Sequence, residues 1–273
     1  MSAQFEYQGK VAVVTGGARS MGLLTVQTLV QKGAKVVIGD ILQSGAEVAD
    51  QLNQEANAHV AVFQHCDVTD STSLKSLIDL AVSQFGRLDI LVNNAGVLDK
   101  PWEQDPDGDY ARRCIDINVR SVIDGTIHAL HYWNQAEERK GVVVNLASMA
   151  AYSPLYCLSA YVASKAAVVA YTKALASLAP KVRVNAVAPS WVDTTFIDTD
   201  HIGKDHYTIK YSGLLKQETV VEQIVRLIED ESLAGDVVMI RNNEEPTLCP
   251  APKSTQVEAV VQATLKERAA KQE

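Results

Sequence analysis

Short continuous apolar runs alternate along this chain with longer segments whose apolar residues return every three to four positions. The first pattern predicts strands buried on both faces, and the second predicts helices with one apolar side. Val11-Ala12-Val13-Val14 opens the series as a β-branched run that ends in Thr15-Gly16-Gly17. A helix is predicted from near Ser20, with Leu23, Val26, Leu29 and Val30 on one face, and Gly33 closes it. Further strands are predicted over residues 35–40, 58–64, 88–92, 142–146, 182–187 and 237–240, the last of them ending the sheet. Helices are predicted over 43–56, 71–85, much of 108–134, 160–178 and 220–228.

Apolar strands that alternate with amphipathic helices predict a single α/β domain with a doubly wound parallel sheet and helices on both faces, over about residues 6–241. Two segments break the rhythm. Residues 99–109 form a polar loop after the fourth strand, and residues 190–216 form a long connection after the sixth. Both fall at the carboxyl ends of strands, where such sheets bind ligands. The second is expected to be a lid over a hydrophobic substrate, since it carries Trp191, Phe196, Ile197, Ile202, Tyr207, Ile209, Tyr211, Leu214 and Leu215. Residues 242–273 are expected to be an extension. Pro246, Pro250 and Pro252 read as a spacer, and Thr255-Gln256-Val257-Glu258 resembles a capping box before Val257, Val260, Val261 and Leu265 at helical spacing.

With 273 residues and 47% hydrophobic content, the chain has ample material for a core, which excludes disorder. A net charge of −8 without a basic run argues against nucleic acid and anionic membranes as partners. No apolar run is long enough for a membrane span, and the N-terminal residues lack the basic and apolar regions of a secretory signal, so a cytoplasmic protein is expected. Cys66, Cys114, Cys157 and Cys249 lack zinc-ligand spacing and read as small apolar residues. His128 and His131 share a helical face, but no third ligand completes a metal set, and no metal is expected.

The candidate chemistry begins at the glycine turn. Gly16, Arg19, Ser20, Met21 and Gly22 sit between the first strand and its helix. Small residues there let the backbone approach a pyrophosphate, and the helix N-terminus offers N–H donors. Asp40 ends the second strand, where a carboxylate accepts the ribose hydroxyls of NAD and repels the 2′-phosphate of NADP. Arg19 points the other way, toward an NADPH-dependent ketoreductase, and carries less weight. Asp67-Val68 and Asn93-Asn94-Ala95-Gly96 follow two further strands and suit a wall against adenine and ribose, or simple turns. In Tyr161-Val162-Ala163-Ser164-Lys165 the phenol and the ammonium share a helical face, so the cation is expected to lower the phenol pKa and make Tyr161 a general acid–base. Ser148 ends the preceding strand, where its hydroxyl can hold a substrate oxygen.

With these motifs together, the sequence resembles the short-chain dehydrogenase/reductase family over residues 9–240. The resemblance implies a Rossmann domain, a small-molecule substrate and a homodimer or homotetramer. It implies Tyr161 as acid–base, Lys165 on the nicotinamide ribose, Ser148 on the reacting oxygen and Asn118 as anchor of a proton-relay water. It further implies Asn93, Ala95 and Gly96 as the adenine-side wall and Pro189, Val192 and Thr194 at the nicotinamide loop. Leu158, Trp191 and Tyr211, with Ser148, are the candidate substrate contacts. The sequence departs from the family at Ser20 and Ser190, where glycines are usual, and Leu158 cannot hydrogen-bond a substrate oxygen. The implied activity is hydride transfer between a secondary alcohol, or its ketone, and NAD. A non-catalytic NAD sensor or scaffold is the rival, and a sensor has no need of Asn118, Ser148, Tyr161 and Lys165 together.

Overall fold

In the computed structural model, residues 5–153, 155–197 and 207–251 are described. Eight strands form one sheet: β1 (Val11–Thr15), β2 (Lys35–Asp40), β3 (Ala61–His65), β4 (Ile90–Asn93), β5 (Gly141–Leu146), β6 (Val182–Pro189), β7 (Val237–Ile240) and β8 (Thr247–Cys249). Their order across the sheet is β3-β2-β1-β4-β5-β6-β7-β8. The first seven run parallel, with Val13 level with Val37 on one side and Leu91 on the other. Chain direction across the sheet reverses between β1 and β4, so the loops after these two strands diverge and leave a crevice at their carboxyl ends.

The faces sort by strand alternation. Ala12 and Val14 meet α1 (Ser20–Gln31) through Val26 and Leu29. The same cluster takes in α2 (Ser44–Ala56) through Leu52. Val11 and Val13 point to the opposite face, where Leu77 and Ile78 of α3 (Ser71–Phe85) pack. Buried on both sides, the inner strands need no polar alternation, which is why they read as apolar runs.

Two details differ from the sequence expectation. The helical stretch over 108–134 is not continuous: α4 (Asp109–Ile115) and α5 (Ser121–Trp133) are joined by a π turn over Asp116–Arg120. Within it, Asn118 is fully buried; its Oδ1 accepts from Val97 N–H and its Nδ2 donates to Val97 O, both at 2.9 Å. The wider turn lets the Asn118 amide clasp the peptide after β4, a tertiary contact that periodicity does not register. The second difference is β8. Residues 237–240 are not the last strand, because Thr247–Cys249 returns antiparallel along β7. Flanking prolines disguised it as a spacer, but proline is tolerated beside an edge strand, where one side of the ladder is unpaired. The expected helix near Val257 lies outside the described residues.

Helix α6 (Ser159–Ala174) packs Val168 and Val169 against Ala186, Ala188 and Val237. Beyond β6, Val192 bridges to Leu215 and both are buried, so the 190–216 connection is pinned at its base. It continues as α7 (Tyr207–Ser212) and leads into α8 (Gln217–Glu229), and residues 198–206 lie outside the described residues. Ile197 and Ile209 bury themselves against Leu158, so part of the expected lid covers its own protein. No helix among the described residues is long and apolar enough to cross a membrane.

Candidate active site

The crevice at the β1/β4 divergence opens into a cavity of about 1290 Å³. Gly16, Arg19, Ser20, Met21, Gly22, Asp40, Asp67, Val68, Asn94, Ala95, Gly96, Tyr161, Lys165, Pro189, Val192 and Thr194 all line it, as do Ser148, Leu158, Trp191 and Tyr211. Asn93 and Asn118 do not.

One end is built by the glycine turn. Gly16 N–H donates to Gly39 O at 2.7 Å with a left-handed φ of 65°. Asn94 Nδ2 donates to both Thr15 O and Gly16 O at 2.9 Å, so its side chain clamps the turn in addition to walling the cavity. Thr15 Oγ1 accepts from Asn94 N–H and Ala95 N–H, tying the ends of β1 and β4 together. Ser20, where the family has glycine, also takes a positive φ of 49°, and its hydroxyl lies 3.3 Å from that of Thr195. Asp40 is buried; its Oδ2 accepts from Ala18 N–H and its Oδ1 from Leu42 N–H, each at 3.0 Å. A carboxylate oxygen has two lone pairs, so each still has capacity toward the cavity. Arg19 is exposed on the same rim. The absent side chain of Gly22, the N-terminus of α1 and the Asp40 carboxylate together fit a dinucleotide: a Cβ on Gly22 would lie 2.0 Å from Gly16 O.

The other end gathers the reactive side chains. Ser148 follows β5, accepts from Ala150 N–H at 3.1 Å and donates to Pro189 O at 3.4 Å. Tyr161 and Lys165 are one turn apart on α6, with Lys165 Nζ 5.5 Å from the Tyr161 ring centre. Lys165 is buried and its Nζ donates to Leu146 O at 2.6 Å. Burial pushes its ammonium down to about 8. Burial likewise pushes the Tyr161 phenol up to about 12, against the opposing pull of its hydrogen bond with Ser148. The expected lowering of the phenol pKa by Lys165 is therefore corrected: burial outweighs the pull of the Ser148 hydrogen bond, and Lys165 one turn away does not reverse the shift. Thr194 Oγ1 is engaged locally with Val192 O and Phe196 N–H.

Other candidates lie behind the site, at its edge or away from it. Asn93 Nδ2 donates to Asn145 Oδ1 at 2.9 Å inside the sheet, so it is a core residue rather than part of the adenine-side wall. All the polar atoms of the Asn118 side chain are engaged by Val97, Ser164 and Cys114. Tyr211 sits at the rim of the cavity and is 89% exposed. His128 pairs with Ser71 Oγ at 2.9 Å. Sequence reasoning missed the Asn94 clamp, the α4 face that contributes Arg112 and Arg113 with Asp116 of the π turn beyond it, and the turn over 241–244, which also lines the cavity. The alternation of charges on α4 was the available signal for the second of these.

The family model for short chain dehydrogenase matches residues 10–203. Human 15-hydroxyprostaglandin dehydrogenase [NAD(+)] is 34% identical over 254 residues, covering 86% of this chain and 92% of the relative. The 3-alpha-(or 20-beta)-hydroxysteroid dehydrogenase of Mycobacterium tuberculosis is 35% identical, covering 82% and 84%. Short chain dehydrogenase helC of Aspergillus fumigatus is 30% identical, covering 84% and 94%. The first agrees with a likeness visible in the sequence at residues 85–97, 204–206, 209–215 and 227–230, of which 204–206 lie outside the described residues. With a glycine turn, an aspartate at the end of β2 and a serine, tyrosine and lysine converging on one cavity, this chain belongs to the short-chain dehydrogenase family.

Proposed function

We propose that this chain is an NAD-dependent dehydrogenase that interconverts a hydrophobic secondary alcohol and its ketone, with Tyr161 as general acid–base. The observation that carries the reading is the convergence of Tyr161, Ser148 and Lys165 at one end of a cavity whose other end presents Asp40. Two of the relatives described above act, by their names, on a hydroxyprostaglandin and a hydroxysteroid, both secondary alcohols on apolar skeletons. Leu158, Phe196, Ile197 and Trp191 give the Tyr161 end apolar walls of matching character.

When bound, the nicotinamide supplies the acceptor or donor of hydride. The protein's part is to hold and move one proton. In alcohol oxidation the Tyr161 oxygen takes the hydroxyl proton while Ser148 holds the reacting oxygen. In ketone reduction Tyr161 gives that proton back. The Lys165 ammonium stabilises the phenolate in either direction. Assembly as a homodimer or homotetramer and a cytoplasmic location belong to the same proposal, and light scattering and cell fractionation test them.

Following NADH formation with a panel of secondary alcohols of increasing chain length tests the reading. Turnover that improves with apolar length is expected, and no turnover with any member would overturn it. Asp40 should select the cofactor: a 2′-phosphate beside a buried carboxylate costs enough that kcat/KM with NAD is expected to exceed that with NADP by about a hundredfold. Asp40→Ser should narrow the ratio by raising the NADP value, whereas equal use of both cofactors by the unmodified enzyme would reassign the pocket to Arg19.

The pH dependence follows from the two shifted groups. Tyr161 keeps its proton up to about 12, so the donor for ketone reduction is present throughout the neutral range. Lys165 is charged below about 8 and loses its charge above it. Reduction is therefore expected to be flat below pH 8 and to fall as pH rises through it. Oxidation, which needs phenolate, should rise with pH and flatten where Lys165 discharges. Steady-state rates in both directions across pH 6–10 check the pair of profiles.

A further inference from the structure

We propose that Asp99, in the loop after β4, is a positioning residue that sets the start of α6 and so the placement of Tyr161. The inference rests on the acid–base reading of Tyr161.

Helix α6 starts without a cap of its own. Its N-cap position is Leu158, whose side chain has no oxygen to offer the free N–H groups of the first turn. Asp99 supplies the missing acceptor from a distant part of the chain: its Oδ2 accepts from Ala160 N–H at 2.7 Å. Ala160 is the residue immediately before Tyr161. The Asp99 side chain is 1% exposed, and a carboxylate so enclosed is tolerable only where donors and a positive helix end meet it.

A second tie joins the same loop to the same place. Trp102 Nε1 donates to the Tyr156 hydroxyl at 2.6 Å, and that hydroxyl donates in turn to Glu103. Trp102 and Tyr156 are 66% and 69% exposed, so hydrogen bonding rather than burial holds them. The polar loop over 99–104 thus grips the segment leading into α6 at two points on either side of Leu158, the Ala160 backbone N–H and the Tyr156 side chain. Leu158 itself lies in the apolar cluster that includes Tyr161 and Phe196. A shift at this helix start would move the phenol relative to Ser148, which is held separately in the turn after β5.

Asp99 also acts through its charge. The groups facing the Tyr161 phenol are Ser148 from the end of β5, Lys165 from the next turn of α6, Cys114 from α4 and Asp99 from the loop. Asp99 is an anion in this set and holds the phenol proton more tightly.

The test compares Asp99→Ala and Asp99→Asn with Tyr161→Phe, measuring kcat in both directions, cofactor affinity, thermal midpoint and the pH profile of oxidation. Asp99→Ala is expected to lower kcat about tenfold with cofactor affinity unchanged, as a misplaced reacting group does. Asp99→Asn keeps an acceptor oxygen but not the charge. It should restore kcat to within about threefold of the unmodified enzyme and move the oxidation profile toward lower pH by about half a unit. Unmodified kcat in Asp99→Ala overturns the proposal. So does a parallel fall of kcat, cofactor affinity and thermal midpoint, which marks a merely structural cap, or an unmoved profile in Asp99→Asn. If Asp99→Ala is fully active while Tyr161→Phe is dead, the positioning role fails and the acid–base reading stands. If Tyr161→Phe is active, the acid–base reading fails, and the positioning role with it.

Discussion

Tyr161→Phe is expected to lower kcat at least a hundredfold in both directions while leaving cofactor affinity within about twofold, because general acid–base groups commonly contribute two to four orders of magnitude. Only the phenolic oxygen is lost. The ring keeps its neighbours, with Phe196 at 6.2 Å between centres and Leu158 in the same apolar cluster. Ser148 loses one partner but retains Ala150 N–H and Pro189 O, so no buried hydroxyl is orphaned. The thermal midpoint should therefore move by only a few degrees, since the phenol is protonated in both folded and unfolded states near neutral pH and the loss is that of one hydrogen bond, about 1 kcal/mol. Single-turnover kinetics with cofactor in excess, beside a fluorescence titration of the cofactor, separate chemistry from binding. Residual activity above about a tenth of the unmodified rate would place the proton transfer on another group.

The order of the central elements was legible because each strand is apolar on both faces and each helix carries one apolar stripe. Val11–Val14 and residues 142–146 are too short for buried helices and rich in β-branched residues, which favours strands. The ligand crevice was legible for the same reason: the glycine turn after the first strand and the Asn-Ala-Gly turn after the fourth both fall at carboxyl ends of strands, and both line the cavity. Three features were not. The π turn at Asp116–Arg120 exists for a contact between Asn118 and Val97, and neither residue announces it locally. The cap on α6 comes from Asp99, far away in sequence, so a search of the residues just before Ser159 finds only Leu158. The direction of the Tyr161 shift depends on how completely the site is enclosed, a property of the whole fold. Helical spacing put Lys165 beside Tyr161 correctly and still led to the wrong sign, because a Coulombic gain was weighed without the cost of leaving water.

Gly22→Ala should disable the cofactor end as completely as Tyr161→Phe disables the reactive end. A Cβ at this position would lie 2.0 Å from Gly16 O, 2.8 Å from Gly16 C and 2.6 Å from Asn94 Nδ2. Most of that collision is with backbone, which cannot rotate aside. Gly16 is held from behind by its N–H on Gly39 O and in front by the Asn94 amide on its carbonyl. To admit the methyl group, either the turn must lift off β2 or α1 must retreat from it, and both movements open the concavity proposed to receive the pyrophosphate. Overpacking of this kind costs about 1–3 kcal/mol, so a fall of several degrees in thermal midpoint is expected. Cofactor affinity should drop at least a hundredfold, because the helix N–H groups no longer converge on one point. Gly96→Ala serves as the graded comparison: its Cβ would sit 3.3 Å from Asn118 Oδ1 and 3.7 Å from Lys165 Nζ, close contacts with side-chain atoms rather than with backbone. It should retain measurable cofactor binding. Isothermal titration with NAD on both variants decides the matter, and near-normal affinity in Gly22→Ala would mean that the turn over Gly16 and Gly22 is not where the pyrophosphate sits.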